Sequence, residues 1–142
     1  MGRSRGGLTT KLHAACSDEH TAVAVLLTEG QRHDSVPFAE VIEQASDSGE
    51  VVSVTADKAY DGEPIRAPLA EAGIQAIIPS PSHRKVAADC PKHLYRMRHR
   101  IENWFRKLFD FRRVATRYDK LANCFLAFVH LVGVIVLLRS LR

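Results

Sequence analysis

The sequence predicts an α/β fold, a mixed sheet with flanking helices. Three observations carry that prediction. Two short, partly β-branched runs, residues 8–16 (LTTKLHAAC) and 22–28 (AVAVLLT), flank a turn-like Ser17-Asp18-Glu19-His20 and read as an antiparallel hairpin. Two further short apolar runs, residues 51–56 (VVSVTA) and 74–78 (IQAII), alternate with helical segments. The chain then closes with helices alone, so the order reads β-β-α-β-α-β-loop-α-α. At 142 residues this is the size of one domain, and 46% hydrophobic residues exclude a wholly disordered chain.

In chain order, residues 1–7 are rich in Gly and Arg and read as a loop before the hairpin. Residues 30–35 connect the hairpin to a helix that Asp34 or Ser35 can cap, with Pro37 in its first turn. Phe38, Val41, Ile42 and Ala45 recur there at helical spacing, and residues 46–49 (SDSG) end it. Residues 51–56 read as a strand of the buried parallel type, with Asp57 at its C-terminal end. A helix over about 64–72 stops at Gly73, and the strand 74–78 is ended by Pro79 and Pro81. Residues 79–93 read as a mobile basic loop. A helix over about 94–109 follows, whose apolar face is Leu94, Met97, Ile101, Trp104, Phe105 and Leu108. Next come residues 111–119 and an apolar C-terminal helix over about 121–139. His130, inside that helix, reads as a hydrogen-bonded core residue.

Charge is strongly segregated. Residues 6–83 carry four Lys/Arg against twelve Asp/Glu, and residues 84–120 carry twelve against four, a net +8 beside an overall +4. A basic stretch interleaved with Tyr95, Trp104 and Tyr118 points to a polyanion, with a solvated helix face as the alternative. Three well-separated cysteines make no disulfide framework and fit a reducing compartment. Cys90-x-x-His93 lacks the second pair of a zinc site. Residues 121–138 are broken by Asn123 and His130, so a buried helix is preferred to a membrane span and a cytoplasmic protein to an anchored one. The sequence has no Walker loop, and its GxSxG match, GRSRG at residues 2–6, lies in the expected terminal loop rather than between a strand and a helix, so no nucleophile elbow is expected.

Two carboxylates stand out. Asp57 lies where α/β proteins place their sites, at the end of a strand, although a turn or capping aspartate occupies the same kind of position. Glu102 is the one acid between Cys90 and Phe109, close to Tyr95 and Arg98 at the margin of the helix's apolar face. It reads as an ion-pair partner of Arg98 or Arg106, or as a metal ligand. A strand-end aspartate with a helix glutamate amid Arg and Lys suits divalent-metal phosphodiester chemistry. Lys58, Arg84 and Lys85 are candidate DNA-backbone contacts, with solvated surface as the alternative.

Four segments, GRSRGGLTTKLHA (2–14), LLTEGQRHDS (26–35), TADKAYDG (55–62) and YRMRHRIENWFRKLFDFRRVATRYDKL (95–121), give the chain its identity at family level. With them it resembles bacterial insertion-sequence transposases of the DDE class, in the insertion-sequence-four/five-like group with a ribonuclease-H-like fold. The resemblance runs through the apolar tail, so one domain, residues 1–142, is the C-terminal portion of a catalytic domain, its basic loop and helix spanning about 79–120. It implies that Asp57 is the second catalytic aspartate and Glu102 the catalytic glutamate, each a Mg²⁺ ligand in a two-metal site. It implies that Tyr95 and Arg98, with Arg106 and Lys107 on the same basic segment, serve DNA binding and active-site organisation. The reaction implied is cleavage at the element's end by a metal-activated water, followed by attack of the freed 3′-OH on target DNA.

Two departures from the family pattern stand out. Phe109 occupies the position, seven residues after the glutamate, where the signature has a lysine, and Lys107 lies about 160° away on the helix wheel. The family's first aspartate lies on a central strand that pairs beside the Asp57 strand and precedes the GRSRGG segment, and no residue here matches it. The expectation is therefore a chain one core strand and one carboxylate short, inactive alone. An upstream segment in another reading frame supplies the rest, or the chain is a remnant or has a misplaced start. A complete protein is expected to be a homo-oligomer acting on element ends and target DNA. The alternative function is that of a non-catalytic, DNA-binding or inhibitory fragment.

Overall fold

The computed structural model describes residues 2–4, 7–82, 84 and 86–142, with the backbone alone for residues 2–4, 7 and 8. The hairpin forms as expected, from β2 (Gly7–Cys16) and β3 (Ala22–Glu29), antiparallel from Thr10↔Glu29 to Cys16↔Ala22. Asp18 makes its turn. The carboxylate accepts from the backbone N–H groups of His20 at 2.6 Å and Thr21 at 2.8 Å, closing an Asx-type turn. At the open end, Gly30 N–H donates to Thr9 O at 3.1 Å, and a Cβ on Gly30 would fall on the Thr9 side chain.

The expected N-terminal loop is in part a strand. β1 (Gly2–Ser4) pairs antiparallel with residues 7–9 of β2.

β2 alternates its side chains between two layers. Leu12, Ala14 and Cys16 pack against the main core, where Val25, Trp104, Leu108, Val114, Phe125, Val129, Val132 and Val136 are buried. Ala15 packs on the opposite side, against Val41 and Ala45 of α1 (Phe38–Ser46) and Ala24. α1 has no side-chain N-cap, because Pro37 stands at the cap position; the expected caps lie earlier, Asp34 paired with Lys11 at 2.7 Å and Ser35 bonded to His33 at 2.6 Å. α1 also covers the outer edge of β3. Gln44 Oε1 accepts from Val25 N–H at 3.1 Å, and Ser48 Oγ donates to Val23 O at 3.3 Å.

β4 (Ser53–Thr55) and β5 (Gln75–Ile77) form a separate parallel pair, joined by α2 (Glu63–Glu71). α2 ends where Gly73 takes a positive φ of 71°. Ile65, Leu69 and Ile78 make this half's core, with Phe38 and Ile42 of α1 and Val54 of β4 packed on it. α1 thus reaches both halves.

The expected single mixed sheet is two sheets, β1-β2-β3 and β4-β5. Between them lies a cavity of ≈ 890 Å³, lined by residues 11–16 of β2, residues 51–57 at β4, α1, and Met97, Ile101 and Phe105. Because Val25 N–H points away from β2, its opposite number Ala14, and Leu12 two residues before it, aim their main-chain groups away from β3. No described strand pairs with that edge beyond Thr9, or with the second edge of β4. The expected buried strand 51–56 is accordingly three residues long with none buried, and Val52 is 68% exposed. A parallel strand is covered only where neighbours flank it, and β4 has one described neighbour.

The expected helix over 94–109 is three consecutive pieces, α3 (Lys92–Tyr95), a 3₁₀ turn at Arg96–Arg98 and α4 (His99–Phe109). α5 (Arg112–Ala115) and α6 (Ala122–Ser140) follow. α6 is half buried. Phe125, Val129, Val132 and Val136 enter the main core, while Leu131, Val134 and Leu138 face outward. By length and composition α6 could cross a membrane. His130 is exposed rather than in the core, because it falls on the outward face.

Candidate active site

Asp57 directly follows β4 in space and caps a 3₁₀ turn at Lys58–Tyr60. Its Oδ1 accepts from Lys58 N–H at 2.9 Å. The capping reading and the strand-end reading of this residue therefore both describe its geometry. α3 brings Tyr95 to the same carboxylate, its hydroxyl donating to Oδ1 at 3.5 Å. The 3₁₀ turn then places Arg98 between two acids. Its Nη1 lies 3.6 Å from Asp57 Oδ2, and its Nη2 lies 2.7 Å from Glu102 Oε1, one helical turn on.

The four residues that the sequence singled out as a site thus form one cluster, although Asp57 and Glu102 lie 45 positions apart. Arg98 also sits over the Tyr95 ring at 5.9 Å. The cluster faces solvent: the side chains of Asp57 and Glu102 are about half exposed, and Arg98 one third. Burial, then Asp57, pushes the Tyr95 phenol above its ordinary range, so it stays a hydroxyl donor near neutrality.

A carboxylate pair bridged by a guanidinium is an ion-paired cluster. Among the described residues no group of three His, Cys, Asp or Glu could hold an ion, and Cys90 with His93 makes none. Asp57 and Glu102 offer hard oxygen donors of the type Mg²⁺ takes, but two carboxylates leave most of an octahedral shell to other oxygens.

The remaining candidates are divided. Lys58 and Arg106 are exposed, with no ion pair among the described residues. Arg84 is bound to Asp61 at 2.5 Å. Lys85 lies outside the described residues. Lys107 Nζ donates to Glu19 O at 3.0 Å and lies 3.8 Å from its carboxylate. With Arg100 on Ser17 O and Asn103 on Glu19, it fastens α4 to the hairpin turn. Phe109 is 48% exposed and stacks on Phe105.

Asp61, which the sequence did not single out, supports the site from behind. Its side chain is 1% exposed, and Oδ1 accepts from both Arg66 and Arg84, while Oδ2 has no partner among the described residues. Burial pushes its pKa up, but the two guanidinium groups outweigh that and hold it below the ordinary carboxylate range. Arg66 also donates to Ile78 O at 2.6 Å, so Asp61 ties α2, the end of β5 and the loop leading to Tyr95 into one knot. The available signal was a second aspartate in TADKAYDG, four residues after the first. Burial first, then Asp18, pushes the Cys16 thiol up to about 12, so Cys16 is not poised as a nucleophile.

Comparison with known proteins identifies a family. The family model described as "Transposase DDE domain" matches residues 2–137. A protein of Brucella ovis (strain ATCC 25840 / 63/290 / NCTC 10512), named "Putative transposase for insertion sequence element IS6501", is 32% identical over 134 residues. The match covers 93% of this chain and 100% of that protein. No solved structure gives a significant match.

Proposed function

The chain belongs to the transposase DDE domain family, and from that premise we propose that Asp57 and Glu102 are two of the three carboxylates of a DNA strand-cleavage and strand-transfer site. The observation that carries this reading is the Arg98 bridge, which gathers Asp57, Tyr95, Arg98 and Glu102 at one solvent-facing point.

In this proposal Asp57 and Glu102 each give carboxylate oxygens to Mg²⁺, which supplies activation of water and neutralisation of phosphate charge when bound. Arg98 keeps the two acids together and presents its guanidinium to a DNA phosphate. Tyr95 orients Asp57 through its hydroxyl. Lys58 and Arg106 hold the DNA backbone, their charges free for that purpose among the described residues. Arg84 and Lys107 act at one remove, fixing the loop and the hairpin, and Lys85 is placed with the DNA contacts on its sequence position alone.

The third carboxylate is proposed to arrive on a strand from a segment preceding residue 1, entering the cavity between β2 and β4. Unpaired edges on both sides and the exposed Val52 support that entry point. Such a strand would unite the two sheets into the ribonuclease-H-like sheet expected from the sequence. The chain by itself is then inactive in cleavage, and the complete protein works on element ends and target DNA as a homo-oligomer in the cytoplasm, with α6 as a core helix rather than an anchor.

The test is Mg²⁺-dependent cleavage of an element-end duplex by the completed protein. Asp57→Ala and Glu102→Ala are expected to abolish cleavage while leaving duplex binding intact. Undiminished cleavage by either variant removes it from the site. The net +8 of residues 84–120 favours a second reading, a DNA-binding or inhibitory fragment without catalysis. That reading predicts binding that weakens steeply with salt and is indifferent to Glu102→Ala, with no cleavage even by the completed protein.

A further inference from the structure

A second cavity, of ≈ 680 Å³, opens between β2, α4 and α6, and Glu102 is one of its lining residues. Its walls are partly aromatic. Phe105 and Phe109 stack with ring centroids 5.7 Å apart and planes at 18°, and Phe125 lies opposite them. Phe109 is 48% exposed, so the stacked pair presents an open ring face. Leu12 and Thr10 of β2 complete the lining.

The rim is cationic. Arg106 lines the cavity, is exposed, and has no ion-pair partner among the described residues. Arg117 lies over the Phe125 ring at 5.2 Å and donates to Thr10 Oγ1. Phe109 follows Glu102 by seven residues, about two turns, so both lie along one side of α4. A planar aromatic pair, an exposed guanidinium without an ion pair among the described residues and the neighbouring acidic cluster proposed above to act on phosphodiesters fit one ligand chemistry: a nucleobase with its phosphate.

We propose that the Phe105–Phe109 pair is a stacking platform for an unpaired base at a DNA end, with Arg106 on the adjoining phosphate. This rests on the reading of the chain as a DNA-acting transposase, and it adds a subsite that selects unpaired ends beside Glu102. Bases of any identity stack on such a platform, so the subsite reads strandedness rather than sequence. It also gives Phe109 a role at a position where the cluster's side of the helix carries charge at Arg98 and Glu102.

The experiment uses the full chain and two probes, a blunt duplex and the same duplex with a short 3′ overhang ending in 2-aminopurine. Wild-type protein is expected to quench the 2-aminopurine and to bind the overhang duplex more tightly than the blunt one. Phe109→Ala is expected to lose the quench and about tenfold in overhang affinity, with blunt-duplex affinity unchanged. Phe109→Trp restores both. Equal quenching by wild type and Phe109→Ala, or no preference of wild type for the overhang, overturns the platform and leaves the DNA reading standing. Failure of folded wild-type protein to bind either duplex overturns both.

Discussion

At the scale of single residues, the site depends on how positive charge is allotted. Arg98 joins two exposed acids, and an exposed pair of this kind adds little to stability, about 0.5 kcal/mol. Asp61 is the opposite case, a buried acid with two guanidinium partners. Removing it strands Arg66 and Arg84, so Asp61→Ala is expected to destabilise the fold by about 3 kcal/mol in denaturant unfolding. The pH dependence has a definite sign. Asp61 titrates below its unfolded value of about 3.9, so its contribution is complete above that pH and is lost as pH falls through the folded value. Asp61→Asn, which has no charge to lose, should show a shallower acid-unfolding limb than wild type. An identical limb would mean that Asp61 is not held ionised. Asp57 and Glu102 stood out as candidates in the sequence because position and resemblance coincided there, and Arg98 brings them together. Asp61 was not, since nothing in TADKAYDG says which aspartate turns inward.

At the scale of elements, legibility followed locality. The hairpin was readable because Asp18 and the flanking β-branched runs act within a few residues, and α2 because Gly73 stops it. β4 was not, since VVSVTA reads as a buried strand and burial depends on a second neighbour that no described residue supplies. α6 was half legible: an apolar run shows that a core is sought, not that its outer face is left bare. The break at Arg96–Arg98 was hidden because all its residues tolerate helix, and the tighter turn changes how Arg98 meets both acids. The hairpin's open end gives a direct check. Gly30→Ala places a methyl group against Thr9 and is expected to cost about 1–3 kcal/mol in thermal or chemical unfolding. An unchanged midpoint would mean that the Gly30–Thr9 approach is looser than described.

At the scale of the whole molecule, two half-sheets share α1 and face one another across an open cavity. Unpaired strand edges are templates for pairing, so the chain alone should self-associate with rising concentration. Leu12 and Ala14, whose main-chain groups point into the cavity, should exchange amide hydrogens quickly in the chain alone and slowly once the preceding segment is joined to it. Equal exchange in both forms would place the strand elsewhere. The same contrast in function is the most direct measurement. Mg²⁺-dependent cleavage of an element-end duplex should be absent with residues 1–142 alone and present when they are joined to the Asp-bearing segment ahead of them. Equal cleavage by the chain alone, or none by the joined protein, would contradict the assignment of Asp57 and Glu102 as two parts of a three-carboxylate site.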